Sequence, residues 1–156
     1  FPRLYDNVWW DTGLKENDIY VEFNKGITTD GGADGKPYVL VFDLGENLRE
    51  YNSFGIVPRL QWTAPAPKTV QIEVSDDLNE GWITVVTKND SNGFTEAELK
   101  GATGSYNNHG EGIIHWFELG KLQKRYIRLT IYETFWNKKV LCLDEVFVSD
   151  RSNVVE

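Results

Sequence analysis

Three aromatic residues, Trp62, Phe135 and Trp136, stand in stretches rich in turn formers, in a chain that also offers Arg59, Asn107, Asn108, His109 and Asn137. Flat aromatic faces beside planar amide and guanidinium groups suit sugar recognition. A pyranose presents an apolar C–H surface to a ring and hydroxyls to bidentate donors and acceptors. The same aromatics also serve to close the end of a hydrophobic core, and both uses stay open at this point. A second group consists of oxygen donors. Asp6, Asn7 and Asp11 lie in the irregular stretch Phe1 to Gly13, and carboxylate and amide oxygens in irregular loops suit calcium in a structural role.

Catalytic chemistry finds less support. Glycoside hydrolysis needs two carboxylates facing one cleft, and with 24 acidic residues some pair can always be nominated. No G-x-S-x-G stretch marks an activated serine. The 2 histidines lack zinc-ligand spacing. The chain is therefore expected not to be an enzyme.

At 156 residues the chain suits one domain that can bury a substantial core without metals or disulfides. The single cysteine, Cys142, excludes an internal disulfide and sits in the apolar run Val140 to Val148, where it reads as a packing residue. A net charge of −8 argues against nucleic acid, which requires clustered Lys and Arg, and against an anionic membrane surface. No apolar run approaches a membrane span, and no signal-peptide pattern is present. With 0 Met, Phe1 reads as the start of a processed chain or of a domain excised from a larger protein.

The elements that must position these residues are strands. Apolar runs separated by Gly, Pro, Asn and Asp occur at Ile19 to Phe23, Tyr38 to Leu44, Phe54 to Arg59, Thr69 to Ser75, Trp82 to Thr87, Ile113 to Leu119, Arg125 to Tyr132 and Val140 to Val148. In Thr69 to Ser75, Val70, Ile72 and Val74 alternate with Gln71, Glu73 and Ser75, so one face is buried and one is wet. Tyr38 to Leu44 is apolar at almost every position and reads as a central strand covered on both faces. The only helical signal is a single turn at Thr95 to Lys100. These features predict an all-β antiparallel sandwich or jelly roll of about eight strands.

If successive strands alternate in direction, the connections fall into two sets. Taking the end where Tyr38 begins as the upper end, the connections Asn24 to Lys36, Arg59 to Lys68, Lys88 to Gly112 and Glu133 to Lys139 all belong there. The connections Glu46 to Tyr51, Asp76 to Gly81 and Gly120 to Lys124 belong to the lower end. The upper set carries Trp62, Phe94, Tyr106, His109, Phe135 and Trp136, whereas the lower set is short and mostly charged. Long aromatic connections on a rigid sheet are where binding is expected.

With strands in this order, the chain resembles the discoidin or coagulation factor 5/8 type C family. This is the galactose-binding-like jelly roll that includes many bacterial carbohydrate-binding modules. The matching pieces are Val41-Phe42-Asp43-Leu44-Gly45, Gly55-Ile56-Val57-Pro58-Arg59, Val70 to Asp77 with Trp82, Trp116 to Leu119, Lys124 to Leu129, and Leu143 to Val148. The resemblance covers Tyr5 to about Ser149. It departs from the family in two ways. The cysteine pair of many animal members is absent, which points to the bacterial branch, and the early Asp-Gly loop is compressed to Asp6-Asn7-Val8-Trp9-Trp10.

The resemblance implies a non-catalytic module that docks a glycan on the loops at one end of the sandwich. It implies an Arg at the position of Arg59, an aromatic in the loop before the last strand, core tryptophans at Trp10 and Trp82, and an acidic calcium ligand at Glu145. The expected ligand-binding set is thus Arg59, Trp62, His109, Phe135, Trp136 and Asn137, and the metal set is Asp6, Asn7, Asp11 and Glu145. Trp116 and His115 read as residues of a strand and not as ligands. The expected setting is a secreted, periplasmic or cell-surface bacterial protein, with other domains of the parent chain as neighbours. Two alternatives use the same loops: an adhesion module that binds a polypeptide, or a structural domain packed beside a catalytic neighbour.

Overall fold

The structure is a computed structural model that describes residues 21–23, 37–58, 66–89, 93–100, 114–135 and 141–152, with the backbone alone at 21–23, 142, 144 and 145. Eight strands are present among these residues: β1 (Val21–Phe23), β2 (Tyr38–Asp43), β3 (Tyr51–Pro58), β4 (Pro67–Ser75), β5 (Ile83–Asn89), β6 (His115–Leu122), β7 (Tyr126–Thr134) and β8 (Leu141–Ser149), with one short helix, α1 (Glu96–Lys100), between β5 and β6. They form two four-stranded antiparallel sheets, β1-β8-β3-β6 and β2-β7-β4-β5. The predicted sandwich, its strand count and the single helical turn all stand.

The alternation in β4 has the expected consequence. Val70, Ile72 and Val74 are fully buried, while Gln71 and Glu73 are partly exposed on the other face. Facing them from the first sheet are Phe54, Ile56, Leu141 and Leu143, and from the neighbouring strand Ile127, Leu129 and Ile131, all inaccessible to solvent. Full burial of each such side chain stabilises by about 1.5–3 kcal/mol relative to exposure. This shared core fixes the two sheets face to face.

β2 is not the doubly covered central strand expected from its composition. Among the described residues it is the edge of its sheet, paired only with β7. Tyr38 and Leu40 are buried at 4%, but Val39 and Val41 are 53% and 44% exposed. An uninterrupted apolar run fits either situation, because composition does not reveal whether a second layer lies over a face.

Trp82 also departs from its expected core position. It lies just before β5, half-exposed, with the Arg128 guanidinium 4.1 Å above its ring, and Arg128 in turn pairs with Glu73 at 2.7 Å. Trp116 belongs to β6 as expected, but lies on the outer surface of its sheet, 6.2 Å from the Phe147 ring. Cys142 is a β8 residue opposite Glu22, and its side chain lies outside the described residues, as does Trp10.

Candidate functional site

Register identifies which strand ends lie together. Pro67, the start of β4, is opposite Thr134, the end of β7. Tyr38, the start of β2, is opposite Ile131, and Asn89, the end of β5, is opposite Val70. In the other sheet, Pro58 at the end of β3 is opposite Leu143, Phe23 at the end of β1 is opposite Leu141, and His115 at the start of β6 is opposite Ile56. All of these belong to one end of the sandwich. The segments 24–36, 59–65, 90–114 and 135–140, the last three of which carry Trp62, Phe94, Tyr106, His109, Phe135 and Trp136, therefore join strands at that upper end, as alternation of direction requires.

Local sequence explains how the described part of this end is built. Thr95 caps α1: its hydroxyl accepts from the Glu98 amide at 3.1 Å, and the Glu98 carboxylate accepts from the Thr95 amide at 2.6 Å. This reciprocal capping box satisfies two amides that a helix start leaves without partners. The helix buries Leu99 completely and is preceded by Phe94, 3% exposed. The Phe94 amide donates to the Pro67 carbonyl at 3.4 Å, and the Phe135 amide donates to the Ala66 carbonyl at 3.3 Å. Gly93 makes the first of these contacts sterically possible. Its φ is +132°, and a Cβ there would lie 2.7 Å from the Lys68 carbonyl oxygen. Only glycine accepts both conditions without strain.

His115 stands beneath α1. Its ring meets Phe117 edge-on at 4.7 Å and Phe94 at 5.2 Å, and its Nδ1 is 3.9 Å from a Glu98 carboxylate oxygen. Burial pushes the imidazole below its ordinary 6.5, with Glu98 opposing. It is a packing residue, as its place in the strand suggested. The sequence reading did not single out the Glu98–His115 relationship, although Thr95-x-x-Glu98 is a readable capping signal.

Of the predicted sugar-binding set, Phe135 is described. It follows β7 directly, packs half-buried against the core, and lies 6.0 Å from the Lys68 ammonium. Its ring therefore closes the core and keeps part of its surface toward solvent. Arg59, Trp62, His109, Trp136 and Asn137 lie outside the described residues, as do Asn107 and Asn108. So do Asp6, Asn7 and Asp11 of the predicted metal set. Glu145 is a β8 residue whose backbone is opposite Val57, beside a register shift between Val57 and Pro58. Among the described residues no group of three or more His, Cys, Asp or Glu side chains gathers as a metal site. No helix among them is long and apolar enough to cross a membrane.

No family model and no curated protein sequence matches the chain. Solved structures do. A SusE-like protein aligns with a TM-score of 0.64 at 16% identity, over 94% of this chain and 84% of its own. The F5/8 type C domain of a Bacteroides fragilis protein aligns with a TM-score of 0.58 at 9% identity, over 95% of this chain and 78% of its own. CpGH89CBM32-5 from Clostridium perfringens, solved in complex with GalNAc-β-1,3-galactose, aligns with a TM-score of 0.56 at 15% identity, over 88% of this chain and 78% of its own. At these identities the likeness is one of fold. The chain has the discoidin-like β-sandwich shared by F5/8 type C domains and carbohydrate-binding modules.

Proposed function

We propose that the chain is a non-catalytic carbohydrate-binding module that docks a glycan at the upper end of the sandwich. One observation carries the reading: the register gathers at a single end every strand terminus that leads into Arg59, Trp62, His109, Phe135, Trp136 and Asn137. A rigid two-sheet core with aromatic and amide-rich connections at one end suits shallow sugar docking. Rings take the apolar face of a pyranose, and Arg59 with the amides selects hydroxyl stereochemistry. Similarity in fold to a module solved with a galactose-containing disaccharide supports the same reading.

Calcium belongs to the proposal as a brace for this end. Asp6, Asn7, Asp11 and Glu145 would hold it, and an all-oxygen donor set of carboxylates and an amide fits a hard cation. Bound there, the ion would draw these oxygen donors together and brace the connections that carry the rings. Such a module acts by raising the local concentration of whatever it is tethered to near its glycan, which fits a secreted or surface protein.

Tryptophan emission tests the reading. Titration of the chain with galactose and with N-acetylgalactosamine is expected to shift emission saturably for at least one of them. Trp136→Ala is expected to remove the response while leaving the β-sheet circular dichroism unchanged. An unresponsive, folded parent protein across a panel of neutral sugars would overturn it.

A further inference from the structure

At the opposite, lower end the connection from β2 to β3 and the end of β8 enclose an open-sided cleft of about 430 Å³. Its floor is apolar, made by Leu44, the buried ring of Tyr51, and Val148. Its rim is polar, with Asn47, Arg49 and Ser149 on it together with Glu50 and Asp150. A concave site of this size with an apolar floor and a few converging polar groups has the form of a small-molecule pocket.

What distinguishes the rim is which of its groups already have partners. Glu50 is 3.1 Å from the Lys121 ammonium. Asp150 accepts from the Ser152 amide at 3.0 Å and from its hydroxyl. The Tyr51 hydroxyl donates to the Lys124 carbonyl at 3.0 Å. The acids and the phenol are thus occupied. Among the described residues the Arg49 guanidinium, the Asn47 amide and the Ser149 hydroxyl have no side-chain partner, whereas Arg125, Arg128 and Arg151 each pair with an acid. Among the described residues Arg49 thus differs from Arg125, Arg128 and Arg151 in keeping its planar fork open beside a cleft, where it can take a carboxylate from outside the chain.

We propose that this cleft is a second binding site, for a small organic carboxylate carried on an apolar body. Arg49 takes the carboxylate as a planar fork, Asn47 and Ser149 donate to its remaining lone pairs, and Leu44, Tyr51 and Val148 cover the body of the ligand. Two sources present this chemistry: a uronic acid residue of an acidic glycan, and the carboxyl terminus of a peptide. The site is independent of the glycan reading, because it lies at the other end of the sandwich.

The test is an amide-resolved NMR titration with three probes: glucuronate, N-acetyl-leucine, and N-acetyl-leucinamide as the neutral control. At least one carboxylate is expected to shift the amides of Asn47, Arg49 and Ser149 with a dissociation constant on the order of 1 mM or below, and the neutral amide is expected to leave them unmoved. A response to glucuronate assigns the sugar source, and one to N-acetyl-leucine the peptide source. Arg49→Ala is expected to weaken the responding probe by about tenfold or more without lowering the melting temperature, since the side chain is exposed and unpaired. Silence to both carboxylates, equal shifts with the neutral amide, or undiminished binding by Arg49→Ala would each overturn the proposal. Galactose titrated into the same samples reads the upper end separately.

Discussion

The carboxylate of Asp43 at the end of β2 receives a two-pronged clasp from Arg125 before β7, with Nε at 2.8 Å from one oxygen and a terminal nitrogen at 3.0 Å from the other. The Gly45 amide adds a third hydrogen bond at 2.9 Å. The Leu44 amide donates to the Arg125 carbonyl at 2.9 Å, so backbone and side chains fasten the same two segments. The Asp43-Leu44-Gly45 stretch that carried part of the family resemblance thus has a structural use: it fastens the lower end of an edge strand.

These bonds make stability depend on pH in a defined window. Hydrogen bonds from Arg125, then from the Gly45 amide, hold the Asp43 carboxyl down to about 2 against an ordinary 3.8. A depressed folded pKa contributes stability that is fully present above the unfolded value and lost as pH falls through the folded one. Asp43→Asn should therefore melt at a lower temperature than the parent at pH 7, with the gap closing between about pH 3.8 and pH 2. A gap that does not change over this window would show that the clasp is not electrostatic.

His115 has the same sign for a different reason. Burial between Phe94 and Phe117 favours the neutral ring and depresses its pKa below 6.5, while Glu98 acts against the shift. Stability from neutral His115 is present above about pH 6.5 and declines as pH falls through the lower folded value. His115→Phe removes the titration while keeping a flat ring in the gap. Its melting temperature should fall less than that of the parent between pH 7 and pH 5.

Much of this architecture was legible because it depends on local pattern. Alternation at Val70, Ile72 and Val74 marked a one-sided strand, and the stretch Thr95 to Lys100 marked a single helical turn, since both signals are carried by residues a few positions apart. The exposure of Val39 and Val41 was not legible, because it depends on β2 lying at the edge of its sheet. The outward position of Trp82 was hidden for a related reason: its Arg128 partner is distant in sequence, and the two meet through the pairing of β5 with β4 and of β4 with β7. At the candidate site, alternation of strand direction sufficed to assign connections to an end, and Phe135 is the predicted sugar-binding residue whose surroundings the structure describes.

Gly55 explains how Trp116 lies flat on the outer face of its sheet. The two residues are cross-strand partners, and a Cβ at Gly55 would come within 2.9 Å of the indole and of Ile114. The Arg151 guanidinium covers the ring 4.4 Å from its centroid and lies 3.6 Å from Glu118, fastening the chain beyond β8. Gly55→Ala should cost about 1–3 kcal/mol through overpacking, read as a lower midpoint in urea, and should shift the tryptophan emission. An unchanged midpoint would mean that the indole moves aside freely.

The central claim is glycan binding at the upper end, and a glycan array probed with the folded domain, once with added calcium and once with chelator, tests it most directly. The account predicts binding to a defined subset of glycans, lost in Trp136→Ala and weakened by chelation. A blank array with protein of intact β-sheet circular dichroism would contradict it.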